Sequence, residues 1–306
     1  MTKPRILITG ARGFVGAQVL AQLGDQFDLH AVSRTVSAGK GVTWHDADLR
    51  DVAASAALIR DIRPSHMVHS AWETTHGEFW EAESNLDWLE ASKALFAEFC
   101  AYGGKRIVAC GTCAEYMGSS EPLREGDDTQ HPPSTYGQSK NNLRVVLDNT
   151  PVSYAWARIF YPYGIGENPK RFVPSICQSL LKGEPAKCSS GTQLRNFMDV
   201  RDLGLAISML VEHPLNGPIN LGYPTSYKLG DVAMMLGKIA NRPDLIKLGA
   251  LPDRVGEAPV LIPDLSRQKT ELKFTPKMTL LEGLTTAYHW WKDHMVDDST
   301  VGQKPL

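Results

Sequence analysis

Tyr136 and Lys140 stand four residues apart in the stretch STYGQSK. On a helix that interval sets both side chains on one face. A free phenol has a pKa near ~10, too high for a good base at neutral pH, and a neighbouring ammonium favours the phenolate. Such a pair can exchange a proton with a substrate hydroxyl or carbonyl, while the lysine holds a sugar hydroxyl of a bound cofactor. A second stretch with chemistry to offer opens the chain. RILITGARGFVGAQVL carries Gly10, Gly13 and Gly16 three apart, with Arg12 between the first two. A helix that follows a strand through such a turn exposes backbone N–H groups and the positive end of its dipole to an anion. Gly10 permits the tight turn, Gly13 lets a diphosphate approach the backbone, and Gly16 lets helix pack on strand. The plain alternatives are an exposed helical Tyr–Lys pair and glycines that serve packing alone. Their position directly after an apolar N-terminal strand favours dinucleotide binding.

Which dinucleotide depends on the end of the second strand, where enzymes selecting a ribose 2′-hydroxyl place Asp or Glu. This chain has Ser33 and Arg34 there, so no carboxylate repels a 2′-phosphate. Arg12 suits the same phosphate, because a guanidinium binds phosphate bidentately. The expectation is NADP(H) in preference to NAD. The alternative is that both arginines are solvated surface charges.

The elements that must position these groups follow from periodicity. RILITG, FDLHAVSR, VTWHD, SHMVHSAW, KRIVACGT and VSYAWARIF read as strands. Between them FVGAQVLAQL, VAASAALIRDI, residues 81–101 and residues 136–148 read as helices, the second stopped by Pro64. Alternation of this kind implies right-handed βαβ crossovers and a doubly wound parallel sheet, a Rossmann-type α/β fold. After Phe160 the texture loosens. YPYGIGENPKRFVP is loop-rich, a helix lies near 175–182, GTQLRNFMDVRDLGLAISMLVEH is a strand then a helix, and GPINLGYP is a strand returning to the sheet. Residues 1–160 with a returning segment near 197–224 are expected to form the nucleotide-binding unit. Residues 161–196 and 225–306 are expected to form a smaller α/β substrate lobe. YHWWKDH reads as a helix burying one aromatic face, and DDSTVGQKPL as a frayed tail.

The bulk properties exclude several classes. Among 306 residues, 32 basic and 34 acidic side chains leave a formal charge of -2, so no global field recruits nucleic acid or an anionic membrane. No apolar run approaches the ~18 residues that span a bilayer, and the N-terminus lacks a signal-peptide pattern. Five sparse cysteines suit a reduced, cytoplasmic chain. His66, His69, His76 and His131 do not fall at metal-ligand spacing, so no metal site is expected.

With these motifs on the page, the chain resembles the extended short-chain dehydrogenase/reductases, and within them the nucleotide-sugar epimerase, dehydratase and reductase branch. The resemblance rests on G-x-x-G-x-x-G, HDADL, HSAW, Y-x-x-x-K, ARIFYPYGIGE, GTQLRNFMDVRDLGLAI and DRVGEAP, and it covers nearly the whole chain. It implies that the turn through Gly10, Arg12, Gly13, Phe14, Val15 and Gly16, with Ser33 and Arg34, holds the cofactor. Asp48 and Leu49 meet the adenine, Ser70, Ala71 and Trp72 line the ribose and pyrophosphate path, and Lys140 holds the nicotinamide ribose. Arg195 and Arg254 grip a substrate diphosphate, or else serve an interlobe or surface salt bridge. The third catalytic group is a hydroxyl just past the fifth strand. It is Thr112 in the register set by Tyr116, with Cys113 as a pocket neighbour. In the register set by Gly118 it is Cys113. Thr112 is favoured because a thiol donates a weaker hydrogen bond.

The resemblance also narrows the reaction. Sugar 4,6-dehydratases carry Asp-Glu directly after their threonine, where this chain has Cys113-Ala114; in the alternative register Glu115 survives but its partner is Ala114. Reductases that also epimerise at C3 and C5 need a cysteine and a histidine that are not in place. NADPH-dependent 4-ketoreduction of a nucleotide-linked 6-deoxy sugar is the reading preferred. C4-epimerisation with bound NAD and a non-catalytic NADP-binding module are the alternatives. A homodimer through helices 81–101 and 136–148 is expected from the same resemblance.

Overall fold

The computed structural model describes residues 3–34, 41–75, 77–126 and 132–295. His76, His131 and the expected tail lie outside the described residues. The first half alternates as its periodicity dictates. The order is β1 (Arg5–Thr9), α1 (Phe14–Gln22), β2 (Asp28–Ser33), β3 (Val42–Asp46), α2 (Val52–Ile62), β4 (His66–His69), α3 (Ser84–Ala101), β5 (Arg106–Thr112), α4 (Thr135–Asp148) and β6 (Ser153–Ile159). Local chemistry sets several of the ends. The Asp51 carboxylate accepts from the N–H groups of Ala53 and Ala54 and so starts α2. That helix closes at Arg63, whose left-handed φ of 48° turns the chain ahead of Pro64. Helix α3 begins at Ser84 and not at 81, because Glu81 is spent on Thr135 at the head of α4.

The second half supplies β7 (Pro162–Tyr163), α5 (Phe172–Lys182), β8 (Ala186–Lys187), β9 (Leu194–Arg195), β10 (Met198–Asp199), α6 (Val200–Leu210), β11 (Gly217–Leu221), β12 (Tyr227–Lys228), α7 (Leu229–Ile239), β13 (Ile246–Lys247), β14 (Val260–Leu261), α8 (Ser266–Thr270) and α9 (Leu280–His294). Strand β11 does return to the sheet, pairing in parallel with β6. The seven-stranded parallel sheet runs β11-β6-β5-β4-β1-β2-β3. Its order reverses between β1 and β4, the place where such sheets open a crevice at the carboxyl ends of the strands.

One face of the sheet packs on α1 and α6 through Val19, Leu203, Ile207 and Leu210; the other packs on α2, α3 and α4 through Ile59, Phe96 and Leu143. A third core joins α5, α7 and α9 around Ile176, Leu236, Leu284 and Trp291. Helix α9 buries Trp291 as its pattern predicts, while Trp290 stacks on His294 at 4.1 Å. No helix among the described residues is long and apolar enough to cross a membrane.

Candidate active site

The glycine turn lies at the switch point. Gly10 has φ of +67°, and a Cβ there would sit 2.7 Å from the backbone nitrogen of Ala71 at the end of β4. A Cβ on Gly16 would sit 2.2 Å from the carbonyl oxygen of Gly10. Both positions therefore require glycine to bring α1 against the two strands. A Cβ on Gly13 would meet only that carbonyl oxygen, at 3.1 Å. Gly13 is the N-cap of α1 and offers no side-chain cap, and the first turn holds no acidic residue. The first amides, at Phe14 and Val15, are thus left for an anion. These features fit a dinucleotide diphosphate. Arg12 is exposed beside the turn, and Ser33 and Arg34 close β2 nearby. Asp48 is held below its usual range by the Arg50 side chain, which it accepts bidentately at 3.2 and 2.9 Å. Leu49 is buried beside it. The Ser70 hydroxyl donates to the carbonyl of Thr9 at 2.7 Å, locking β4 to β1.

Thr112, Tyr136 and Lys140 meet past the ends of β5 and within the first turns of α4. Ser134 caps that helix, its hydroxyl accepting from Gly137 N–H at 3.1 Å. Tyr136 is buried, and burial pushes its phenol above the ordinary value, while the Thr112 hydroxyl that faces it works the other way. The direction is opposite to the one expected from the lysine beside it. The reason is geometric: Lys140 turns away, donating to the Cys110 carbonyl at 2.9 Å with its ammonium 3.9 Å from the centre of the Trp72 ring. Burial pushes Lys140 itself down to about 8. In this state the phenol is a proton donor. Next to Lys140, His69 is held at about 3 by burial, its ring bonded to the hydroxyls of Thr9 and Ser92.

The two candidates for the hydroxyl position part company here. Thr112 faces Tyr136, and its oxygen also accepts from Ala114 N–H at 3.2 Å. Cys113 lies toward Tyr161 and Arg195, its thiol pushed up to about 12 by burial. Glu115 accepts from Thr112 N–H, the Trp156 indole and Arg158, each within 2.7 to 2.9 Å. It is fully buried and its oxygens are taken up by these three donors, which ties it to the scaffold and keeps it from a substrate.

Arg195 is 1 % exposed and committed to the loop after residue 256. It donates to the carbonyls of Ala258 and Pro259 and pairs with Glu257 at 2.9 Å; its Nε has no partner among the described residues. Arg254 stands exposed on the same loop. The structure thus puts Arg195 in a salt bridge between β9 and the loop, and Arg254 at the surface.

Residues that sequence reasoning passed over complete the surroundings. Tyr161 has a left-handed φ of 27° and lies with its ring 5.4 Å from the Arg195 guanidinium carbon. Glu167 is buried with one carboxylate oxygen unpartnered among the described residues, beside Arg171. Phe79 and Trp80 enclose Tyr136. Their only sequence signal was an aromatic pair shortly after the fourth strand, where a cleft of this fold opens.

Comparisons with known proteins give the family and the fold. The model of the NAD dependent epimerase/dehydratase family matches residues 6–223. A UDP-glucose 4-epimerase of Azospirillum brasilense is 23% identical over 98% of this chain and 94% of its own. A dTDP-4-dehydro-6-deoxy-D-allose reductase of a Streptomyces species is 25% identical over 94% of this chain and 96% of its own. Among solved structures, the UDP-glucose 4-epimerase of Thermotoga maritima with UDP-glucose superposes with a TM-score of 0.83 at 21% identity, covering 95% of this chain and 100% of that one. The Thermus thermophilus UDP-glucose 4-epimerase in complex with NAD gives 0.84 at 20% identity over 95% and 100% of the two chains.

Proposed function

Because the chain belongs to the NAD-dependent epimerase/dehydratase family, we propose that it reduces a nucleotide-linked 4-keto-6-deoxy sugar with NADPH. The observation that carries this reading is the buried Tyr136, facing Thr112 on the helix that also carries Lys140. When bound, the nicotinamide supplies the hydride. Tyr136 gives its phenolic proton to the carbonyl oxygen as that oxygen becomes an alkoxide, and Thr112 donates a second hydrogen bond to the same oxygen. Lys140 holds a ribose hydroxyl, and the amides of Phe14 and Val15 hold the diphosphate. Arg12, Ser33 and Arg34 take the 2′-phosphate, Asp48 and Leu49 the adenine side. Ser70, Ala71 and Trp72 line the path between them.

Arg195 and Arg254 hold the substrate diphosphate in this reading, with Cys113 lining the sugar pocket; a phosphate at Arg195 would compete with Glu257 for its guanidinium. The protein pairs through the outer faces of α3 and α4, which pack on each other. The absence of a carboxylate at the end of β2 supports NADPH over NAD. The second reading, C4-epimerisation with retained NAD, is favoured by the relatives that are epimerases. Mixing the protein with NADPH and nucleotide-linked 4-keto-6-deoxy sugars separates the two. Net NADPH oxidation that falls roughly 10²–10⁴-fold in Tyr136→Phe supports reduction. Interconversion of UDP-sugars with no net NADPH consumption replaces it with epimerisation. Biological activity untouched by Tyr136→Phe leaves only a binding module. If Arg12→Ala and Arg34→Ala do not erode a preference for NADPH over NADH, the cofactor assignment is wrong.

A further inference from the structure

Lys140 is a buried cation held by more than a hydrogen bond. It is 3 % exposed, and of the three N–H groups on its ammonium one goes to the Cys110 carbonyl at 2.9 Å. The Trp72 ring faces the same nitrogen, its centre 3.9 Å away. At that distance the negative face of an indole attracts an ammonium, most strongly where water is excluded. The other titratable groups around Lys140 give it little at close range. On β5 and just past it, the Cys110 thiol is pushed up to about 11 by burial, and the Glu115 carboxylate is paired with Arg158 at 2.7 Å. On β4, His69 is held neutral by burial, and on α4 itself burial keeps the proton on the Tyr136 phenol.

The ring is itself fixed in place. Its indole N–H donates to the Asn85 side chain at 2.9 Å, and Asn85, fully buried near the head of α3, donates in turn to the carbonyls of Phe79 and Ala82 at 2.6 and 2.9 Å. Trp88 stacks behind it with ring centres 6.2 Å apart, and the Arg50 guanidinium lies beyond, 5.9 Å from the Trp88 ring. Trp72 therefore cannot slide off the ammonium without breaking its bond to Asn85. Packing alone would be served by any apolar side chain of this size. What an indole adds is a negative face turned toward a buried positive charge, and burial has already pulled that charge down to about 8.

We infer that Trp72 is a positioning residue for Lys140, its ring face keeping the buried ammonium charged and aimed toward the Cys110 carbonyl. This deepens the reading above, in which that ammonium holds the cofactor ribose, yet it concerns the free protein and is tested there. Protein isotopically labelled at its lysine side chains is titrated by NMR, the Lys140 signal being the one lost in Lys140→Arg. Trp72→Leu and Trp72→Phe open comparable space to water, so the difference between them reads the ring face and not hydration. Lys140 in Trp72→Leu should hold its proton roughly tenfold more weakly than in wild type, with Trp72→Phe between the two. Calorimetric titration with NADPH across the same pH range gives a second readout. Loss of a merely structural contact lowers affinity at every pH, whereas loss of the ring face moves the midpoint of the pH profile down in step with the NMR midpoint. A Lys140 midpoint in Trp72→Leu that matches wild type, or that equals or exceeds the one in Trp72→Phe, overturns the inference and leaves the reductase reading standing. Midpoints in the expected order, in a protein that reduces no 4-keto sugar, uphold the inference and overturn that reading.

Discussion

Glu167 offers a prediction whose size follows from its surroundings. Its side chain lies just ahead of α5, 8 % exposed, with one carboxylate oxygen unpartnered among the described residues. Burial pushes its carboxyl up to about 8, and neither the nearby Arg171 guanidinium nor the Gly164 N–H offsets this. Below the ordinary value of 4.5 both the native and the unfolded chain carry the proton, and nothing is lost. As pH rises from there to about 8, the unfolded chain ionises while the native carboxyl must keep its proton, so stability falls. Above the native value the loss is constant. At 1.36 kcal/mol for each tenfold change, the interval corresponds to a ceiling of about 5 kcal/mol. Glu167→Gln keeps the shape and removes the ionisation. Urea denaturation of both proteins at about pH 5 and about pH 8 reads the difference. The variant should match wild type closely at the lower pH and exceed it by a few kcal/mol (roughly 2–5) at the higher. A variant whose stability falls with pH as steeply as wild type would refute the reasoning.

Three further outcomes are expected. Arg158→Met strands the fully buried Glu115 carboxylate and should cost about 3–5 kcal/mol, with Glu115→Gln in the same chain restoring much of it; denaturation of the single and double variants checks this. Gly16→Ala forces a methyl into the Gly10 carbonyl and should abolish NADPH binding or folding, whereas Gly13→Ala is milder; calorimetric titration with NADPH beside circular dichroism tells them apart. Burial lowers Lys140 to about 8, so its ammonium is lost as pH rises through that value, and affinity for NADPH should weaken there. A binding profile flat across that range, or Lys140→Met binding as tightly as wild type, contradicts the role given to the ammonium.

Much of the fold was legible because its first half repeats one short rule: an apolar strand, a turn, an amphipathic helix. Strand β11 was legible too, since GPINL carries its apolar residues between glycine turns. The two-residue strands from β7 onward were not, being too short to show any period. At the site, Tyr136 and Lys140 were legible from an interval of four, but an interval does not say where an ammonium points. The Cys110 carbonyl, 30 residues upstream, and Trp72 decide that. Arg195 was read from the resemblance as a grip on a substrate diphosphate, with a salt bridge as the alternative; its bonds to Glu257, Ala258 and Pro259 span more than sixty positions, which no local pattern reveals. The aromatic pair at Phe79 and Trp80 sits in irregular backbone, where no periodicity marks which way a ring faces. Glu81 moved the start of α3 by three residues because tertiary bonding to α4 outbid local helix propensity.

The order of the strands has a consequence for how the molecule is made. Helix α6 and strand β11 cover and edge a sheet whose other six strands were all completed by residue 159. Until the ribosome has released about sixty residues more, Val19, Val108 and Ala157 lack the side chains of Leu203, Ile207 and Ile219 that bury them. The nascent chain thus carries an open, oily sheet face through the synthesis of the entire intervening segment. That exposed interval, more than any weakness of the finished protein, is where a chaperone would have its work.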